Sequence, residues 1–242
     1  MTGSLYLRYE VLRTFRNRRF LIFSLGFPLV LFLVVAGSNR HAVLDGISFP
    51  LYYMIGMTSW GAMAAVVSSG ARIAAERQAG WTRQIRITPL PVRTYLSSKL
   101  VSGYLLAGLS VIVLYVVGSA MGVRLSAGQW LTMTGLLVVG LVPFAVLGIA
   151  LGHLLTADSV GPAMGGITAV FALLGGAWGP LASGGVLLRV VKCVPSYWLV
   201  QAGKTALGGH AWPAEGWLVV AAWTVVLGLL AVRVYRRDTA RV

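Results

Sequence analysis

Six long apolar stretches dominate this sequence and limit what the chain can fold into. They cover residues 20–37, 50–71, 95–121, 130–155, 160–182 and 216–235. A helix that crosses a bilayer needs about 20 mostly apolar residues, so each stretch is long enough to be a span. Hydrophobic residues make up 57% of the chain and charged residues 11%, a composition outside the range of soluble domains. The sequence therefore predicts an all-α membrane protein with six transmembrane helices in one domain, residues 1–242.

The positions of the basic residues predict the orientation of the spans. Of the 20 basic residues, 15 lie in three segments, residues 1–19, 72–99 and 233–241, which flank or overlap the ends of the first, second, third and sixth spans. The positive-inside rule places such segments in the cytoplasm. We therefore predict that both termini and the 72–99 loop are cytoplasmic and that the net charge of +14 serves orientation, not a nucleic-acid partner. The 156–159 loop has no basic residue, so only the count of spans places it.

The N-terminal segment, residues 1–19, has two interpretations. Leu5, Tyr9 and Leu12 follow helical spacing among several arginines, a pattern typical of a helix that lies at the cytoplasmic interface. The same residues also suit a simple basic flank of the first span. Both interpretations keep the segment cytoplasmic.

Side chains that support catalysis or metal binding do not cluster in the sequence. His41, His153 and His210 are far apart, and Cys193 is the single cysteine. Neither an HExxH motif nor a GxSxG motif occurs, so the sequence predicts no metal site, no cofactor on this chain and no enzymatic activity.

Energy for any transport must come from another chain. Gly203, Lys204 and Thr205 resemble the end of a P-loop, but Trp198 stands where its first glycine belongs. All six acidic residues lie near span ends or in loops, so no carboxylate at the bilayer centre is available to bind a coupling ion.

Four GxxxG pairs occur, but 30 glycines produce about four by chance, so they predict no helix dimerisation.

The loop between the second and third spans carries the most specific pattern. Helix-forming residues run from 73 to 79, Gly80 interrupts them, and Pro89 and Pro91 end the element. Residues 73–90 thus favour a short, basic, partly amphipathic cytoplasmic helix that suits a partner surface. A positive flank lying under the lipid headgroups is the alternative.

This loop resembles a motif of the ABC-2 type permeases, the six-span membrane subunits of bacterial ABC exporters. The matching positions are Ile73, Glu76, Arg77, Gly80, Thr88, Pro89, Leu90 and Lys99. Gln78, Trp81, Thr82 and Ile85 depart from the motif. Residues 195–201 also resemble the family's proline-aromatic stretch before the last span. The resemblance implies a type V exporter-like fold, with a coupling helix at 73–90 and short external, re-entrant helices at 183–213.

The resemblance also implies a division of roles among several chains in the bacterial cell membrane. Two permease chains, forming a homodimer or a heterodimer, would carry a hydrophobic small molecule such as a drug, an antibiotic or a lipid-like compound out of the cell. Two copies of a separate ABC ATPase subunit would bind ATP and Mg. A non-transporting membrane component, such as a sensor or assembly partner with the same docking loop, is the alternative.

Two sets of site residues follow from this resemblance. The ATPase-coupling set is Ile73, Glu76, Arg77, Gly80, Trp81, Arg83, Ile85, Thr88 and Pro89. Glu76→Ala with Arg77→Ala is predicted to uncouple transport while leaving the protein inserted. The family's second and fifth spans tend to face the substrate pathway, so the pathway set is Met54, Met57, Thr58, Met63, Met164, Thr168 and Phe171. Ordinary packing is the alternative for each of these seven.

Overall fold

The structure is a computed structural model that describes residues 2–44, 46–81, 84, 87–88, 90–179 and 184–239. It is mostly helical. The helices are α1 (Thr2–Arg16), α2 (Arg18–Ser38), α3 (Phe49–Gln78), α4 (Val92–Ala120), α5 (Ala127–Gly140), α6 (Val142–Leu154), α7 (Ala157–Gly175), α8 (Gly185–Lys192), α9 (Pro195–Leu207) and α10 (Ala214–Thr239). Strands β1 (Val43–Leu44) and β2 (Ile47–Ser48) form a short antiparallel hairpin between α2 and α3.

Helix α3 lies at the centre of the bundle and is buried along most of its length. It packs against α2, α4, α6 and α7. Glycine, serine and alanine are frequent in this helix and let its neighbours approach closely. Because protein covers almost all of α3, the helix needs little of the apolar surface that a lipid-facing helix requires.

Four helical segments among the described residues are long and apolar enough to cross a membrane. They are Val92–Ala120, Ala127–Leu154, which joins α5 and α6, Ala157–Gly175 and Ala214–Arg237. These correspond to the third to sixth predicted spans. Helix α2 contributes a shorter apolar stretch, Ser24–Ala36, and α3 is not among the four. The structure therefore supports a multi-pass membrane protein, while the count of six spans stays a prediction.

Several helix ends differ from the predicted span ends for local reasons. The predicted fifth span runs to residue 182, but α7 stops at Gly175, because Gly176 adopts a φ of 72° and caps the helix in the left-handed conformation. The predicted fourth span is divided after Gly140, and Pro143 lies in the first turn of α6. Helix α3 continues without a break to Gln78, so residues 73–78 form its last turns and not a separate helix.

The segment before the last helix forms the two short helices α8 and α9. Trp198 on α9 donates from Nε1 to the Lys192 carbonyl on α8 at 2.8 Å and so joins the two helices. Trp223 on α10 donates to the Cys193 carbonyl at 2.8 Å and joins this segment to the last helix. The location of these helices at the outer membrane face stays a prediction.

Glycines let α3 and α6 meet backbone to backbone. A Cβ atom on Gly148 would lie 2.5 Å from the Val67 carbonyl oxygen, and one on Gly70 would overlap the backbone of Gly148. Gly152 faces Gly70 in the same way. The GxxxG pair at Gly148 and Gly152 therefore serves a contact within the chain.

Candidate functional site

A buried cluster of charged side chains joins α1, α3 and α4. The Lys99 ammonium lies 2.6 Å from Glu10 Oε1 and 2.5 Å from Glu76 Oε1. All three residues are at most 4% exposed. One lysine from α4 is thus shared by a carboxylate from α1 and a carboxylate from α3. Charges buried this deeply are stable only when they are paired and hydrogen-bonded.

Glu76 accepts two further hydrogen bonds, one at each carboxylate oxygen. The Tyr95 hydroxyl donates to Oε2 at 2.6 Å, and Arg13 Nη1 donates to Oε1 at 3.0 Å. The Arg13 side chain is 63% exposed and closes the cluster toward solvent. Two acidic and two basic side chains therefore meet in this cluster, and the Arg72 guanidinium lies near enough to interact with both carboxylates.

A second polar link joins α1 to α3 beside this cluster. Arg72 Nη1 donates to Thr14 Oγ1 at 2.8 Å, and that hydroxyl donates to the Glu10 carbonyl at 2.9 Å. Glu10 and Thr14 lie one turn apart and both face the bundle. Helix α1 is consequently held to α3 at two successive turns.

Arg77 ties the end of α3 to the end of α6. Its Nη1 atom donates to the carbonyls of His153 at 2.9 Å and Gly152 at 3.2 Å. The last carbonyls of a helix have no partner within the helix, and they favour a cation nearby. The His153 ring also meets the Tyr235 ring edge to face, with centroids 5.3 Å apart. The 72–99 and 156–159 loops therefore lie at the same end of the bundle.

We predict that Arg77→Gln lowers the free energy of unfolding by about 1.5–3 kcal/mol, the usual contribution of a hydrogen bond to a charged group. Thermal unfolding of the detergent-purified protein measures this, and Arg93→Gln, which alters an exposed arginine on α4, is the control. Equal unfolding temperatures for the two variants would contradict a capping role for Arg77.

An open cleft of about 850 Å³ lies directly over the charged cluster. Helix α1 forms one wall, and the last turn of α3 with the turn that follows it forms the other. Its lining residues are Leu5, Tyr6, Tyr9, Glu10, Arg13, Ala75, Glu76, Ala79, Trp81 and Gln84. Tyr9 is 73% exposed and Trp81 is 40% exposed, so each wall presents an aromatic side chain. Burial raises the pKa of Tyr6 to about 12, which keeps its phenol protonated.

The structure divides the predicted coupling residues into internal and surface groups. Ile73 and Glu76 are buried, and Arg77 donates a hydrogen bond to the His153 carbonyl at the end of α6 in the same chain. Gly80 ends α3 with a φ of 73°, a conformation that favours glycine. Trp81 lines the cleft.

Of the other predicted coupling residues, Thr88 is exposed, whereas Arg83, Ile85 and Pro89 lie outside the described residues. Contact of any member of the set with an ATPase stays a prediction. Glu76 and Arg77 both bond within the chain. The Glu76→Ala, Arg77→Ala variant would therefore lose internal bonds as well as any contact with an ATPase.

The predicted pathway residues are largely enclosed within the chain. Met54, Met57, Thr58 and Met63 are at most 1% exposed. Thr168 is 5% exposed, and its hydroxyl donates to the Met164 carbonyl at 2.8 Å. The Phe171 ring packs edge to face against Phe144 and Trp223. This placement favours ordinary packing, and a pathway role for the seven residues stays a prediction.

Sequence analysis missed the part of the site that α1 contributes. Leu5, Tyr9 and Leu12 are exposed, as an interfacial helix requires, but the opposite face carries Glu10 and Thr14 into the bundle. The sequence pattern that could have indicated this inward face is the polar stripe of Tyr6, Glu10 and Thr14 at successive turns of the helix. Tyr95, at the predicted start of the third span, was missed as the hydroxyl donor to Glu76.

Two comparisons relate the chain to known proteins. The family model described as "ABC-2 family transporter protein" matches residues 38–233. The chain is also 26% identical over 235 residues to the protein named "Putative transport permease YvfS" of Bacillus subtilis (strain 168). These aligned residues cover 96% of each chain.

Proposed function

Because the chain belongs to the ABC-2 transporter family, we propose that this transport permease exports a hydrophobic small molecule, such as a drug, an antibiotic or a lipid-like compound. Membership in the family implies association with an ABC ATPase subunit. In our proposal two ATPase copies bind ATP and Mg, hydrolyse the ATP and drive a pair of permease chains in the bacterial cell membrane. The observation that carries the proposal is the aromatic-walled cleft directly above the buried charge cluster.

The cleft has the shape and chemistry of a docking site for a partner's surface element. Tyr9 and Trp81 stand on opposite walls, with Leu5 beside them. Aromatic side chains in partly enclosed pockets contribute a large share of the binding free energy at protein interfaces. The polar floor formed by Glu10 and Glu76 is already paired, so a docked partner would not need to neutralise it.

The floor of the cleft supplies a mechanical link to the membrane helices. A partner that moves α1 or the end of α3 pulls on Glu10 or Glu76, and both carboxylates are bound to Lys99 on α4. Arg77 extends the link from α3 to α6. Packed elements joined in this way move together as a unit. ATP-driven motion below the membrane would therefore reach α3, α4 and α6 through described contacts.

We expect Tyr9→Ala with Trp81→Ala to weaken ATPase binding by tenfold or more, since loss of an aromatic anchor costs about 2 kcal/mol or more. Both side chains are at least 40% exposed, and the change leaves the ion pairs of Lys99 with Glu10 and Glu76 intact, although it removes the hydrogen bond between Trp81 and Tyr6. The measurement is co-purification and affinity of the permease with its ABC ATPase, followed by substrate-stimulated ATP hydrolysis in liposomes. Trp178→Ala is the matched control, because Trp178 is 39% exposed and does not line this cleft.

The reconstituted complex also tests the proposal as a whole. ATP-dependent accumulation of a hydrophobic dye in inside-out vesicles supports export. A complex that binds its ATPase but never couples hydrolysis to movement of any compound supports the alternative, a non-transporting membrane component. Unchanged ATPase affinity in the double variant would reject this cleft as the docking site.

A further inference from the structure

A groove of about 650 Å³ runs along the last turns of α10 and shares no lining residue with the cleft over the charged cluster. It is lined by Leu229, Leu230, Val232, Arg233, Arg236 and Arg237. The first three are exposed apolar residues, and the three arginines are exposed as well. Apolar side chains thus lie at one end of the groove and three guanidinium groups at the other.

Helical spacing places this groove on the side of α10 that faces away from the bundle. Leu227 and Ala231 are buried, and Tyr235 meets the His153 ring. At about 100° per residue, Arg233 and Arg237 lie on the opposite side of the helix from Ala231. The inner face of α10 therefore anchors the helix, while the arginines point toward whatever surrounds the protein at the end of this span.

The chemistry of the groove fits an amphiphile with a negative headgroup. Guanidinium groups bind phosphate with paired hydrogen bonds, and Arg233, Arg236 and Arg237 are close enough along the helix to share one headgroup. Residues 229–239 contain three arginines and one acid, Asp238, so this stretch of sequence has a formal charge of +2. Leu229 and Leu230 precede the arginines by about one turn, on the side toward the membrane interior.

We propose that this groove binds an acidic phospholipid. The phosphate lies among Arg233, Arg236 and Arg237, and an acyl chain lies along Leu229, Leu230 and Val232. Basic groups near an anionic leaflet attract its headgroups, and the positive-inside rule places this end of α10 at the cytoplasmic leaflet. The lipid lies beside the helix, so the carbonyls at the helix end, which would repel phosphate, do not face it. This proposal requires that the protein crosses the membrane several times, and it does not depend on the export activity proposed above.

The test is native mass spectrometry of the full-length permease with phosphatidylglycerol and, separately, with phosphatidylcholine. We expect wild type to bind phosphatidylglycerol at least tenfold more tightly. Arg233→Gln, Arg236→Gln and Arg237→Gln together should weaken phosphatidylglycerol binding about 100-fold, because each basic residue near an anionic surface contributes about a factor of five. The matching triple lysine variant should stay within about tenfold of wild type, which shows that the glutamine variant fails through lost charge.

The control variant removes three basic residues near the opposite end of the bundle, by Arg124→Gln, Arg189→Gln and Lys192→Gln. We expect it to retain the wild-type preference for phosphatidylglycerol. Equal lipid preference in the Arg233 triple glutamine variant and this control would overturn the proposal. Full displacement of the lipid by millimolar inorganic phosphate would assign the groove to a free anion instead. Efficient disulfide formation between two copies of a Leu229→Cys variant would assign it to a second permease chain.

Discussion

Lys99→Met is expected to lower the free energy of unfolding by about 3–5 kcal/mol, the usual cost of removing one partner from a buried ion pair. The change leaves Glu10 and Glu76, each at most 4% exposed, without the ammonium group that they share. Arg13 can still reach Glu76, but its mostly exposed side chain lies 4.0 Å from Glu10. Tryptophan fluorescence during thermal or denaturant unfolding measures the loss.

A second change should restore much of this stability if the charge pairing is the cause. Lys99→Met with Glu76→Gln removes one positive and one negative charge together. The glutamine oxygen can still accept from Arg13, while its NH2 group can donate to the Tyr95 hydroxyl oxygen. Lys204→Met is the control, because Lys204 makes a cation–π contact with Tyr52 at 4.7 Å in another part of the chain. That contact contributes only about 0.5–1 kcal/mol. A double variant as unstable as Lys99→Met would contradict the explanation.

Gly148→Ala should also be strongly destabilising, although it adds a single methyl group. The new Cβ would lie 2.5 Å from the Val67 carbonyl oxygen and 2.9 Å from the Val67 Cα, so α3 and α6 must separate. Overpacking a tight contact costs about 1–3 kcal/mol, and here the opposing atoms belong to the backbone and cannot rotate away. Size-exclusion profiles and unfolding temperatures of the purified variant measure the effect.

Gly161→Ala supplies a matched control with the opposite expected sign. Gly161 and Gly165 form a second GxxxG pair, on α7, but a Cβ at either position meets nothing within 4 Å. Alanine favours a helix over glycine by up to about 1 kcal/mol, so this variant should be as stable as wild type or slightly more stable. Aggregation of Gly161→Ala to the same extent as Gly148→Ala would show that local geometry does not decide the outcome.

Hydropathy predicted the outer helices better than the central one. The segments at 95–121, 130–155, 160–182 and 216–235 all correspond to helices apolar enough to span a membrane. Helix α3 lacks that hydropathy, because protein and not lipid surrounds it. The early end of α7 at Gly175 could not be predicted from hydropathy, since Ala177 and Trp178 are as apolar as the helix they follow. The turn depends on Gly176 and on the packing of Ala177 against Gly56.

The coupling motif identified residues of the site without indicating how they meet. Glu76, Arg77 and Lys99 all appeared as matching positions, but a single sequence gave no reason to pair Lys99 with Glu76 or either of them with Glu10. Glu10 and Lys99 are 89 positions apart, and their contact forms only after α1, α3 and α4 pack. The same pattern also favoured an outward role for Glu76 and Arg77, whose side chains bind within the chain.

The shared lysine has a consequence for the order in which the protein is made. Glu10 and Glu76 leave the ribosome before Lys99, which follows Glu76 by 23 residues. Until α4 is synthesised, the two carboxylates have no lysine to neutralise them, and carboxylates without a partner are costly to bury. Until α4 arrives, only the bonds of Arg13 and Arg72, among those of the described residues, should join α1 to α3, and Glu10 should stay in contact with water. A nascent chain truncated before Lys99 would then be left with an incomplete bundle, open to recognition by membrane quality control.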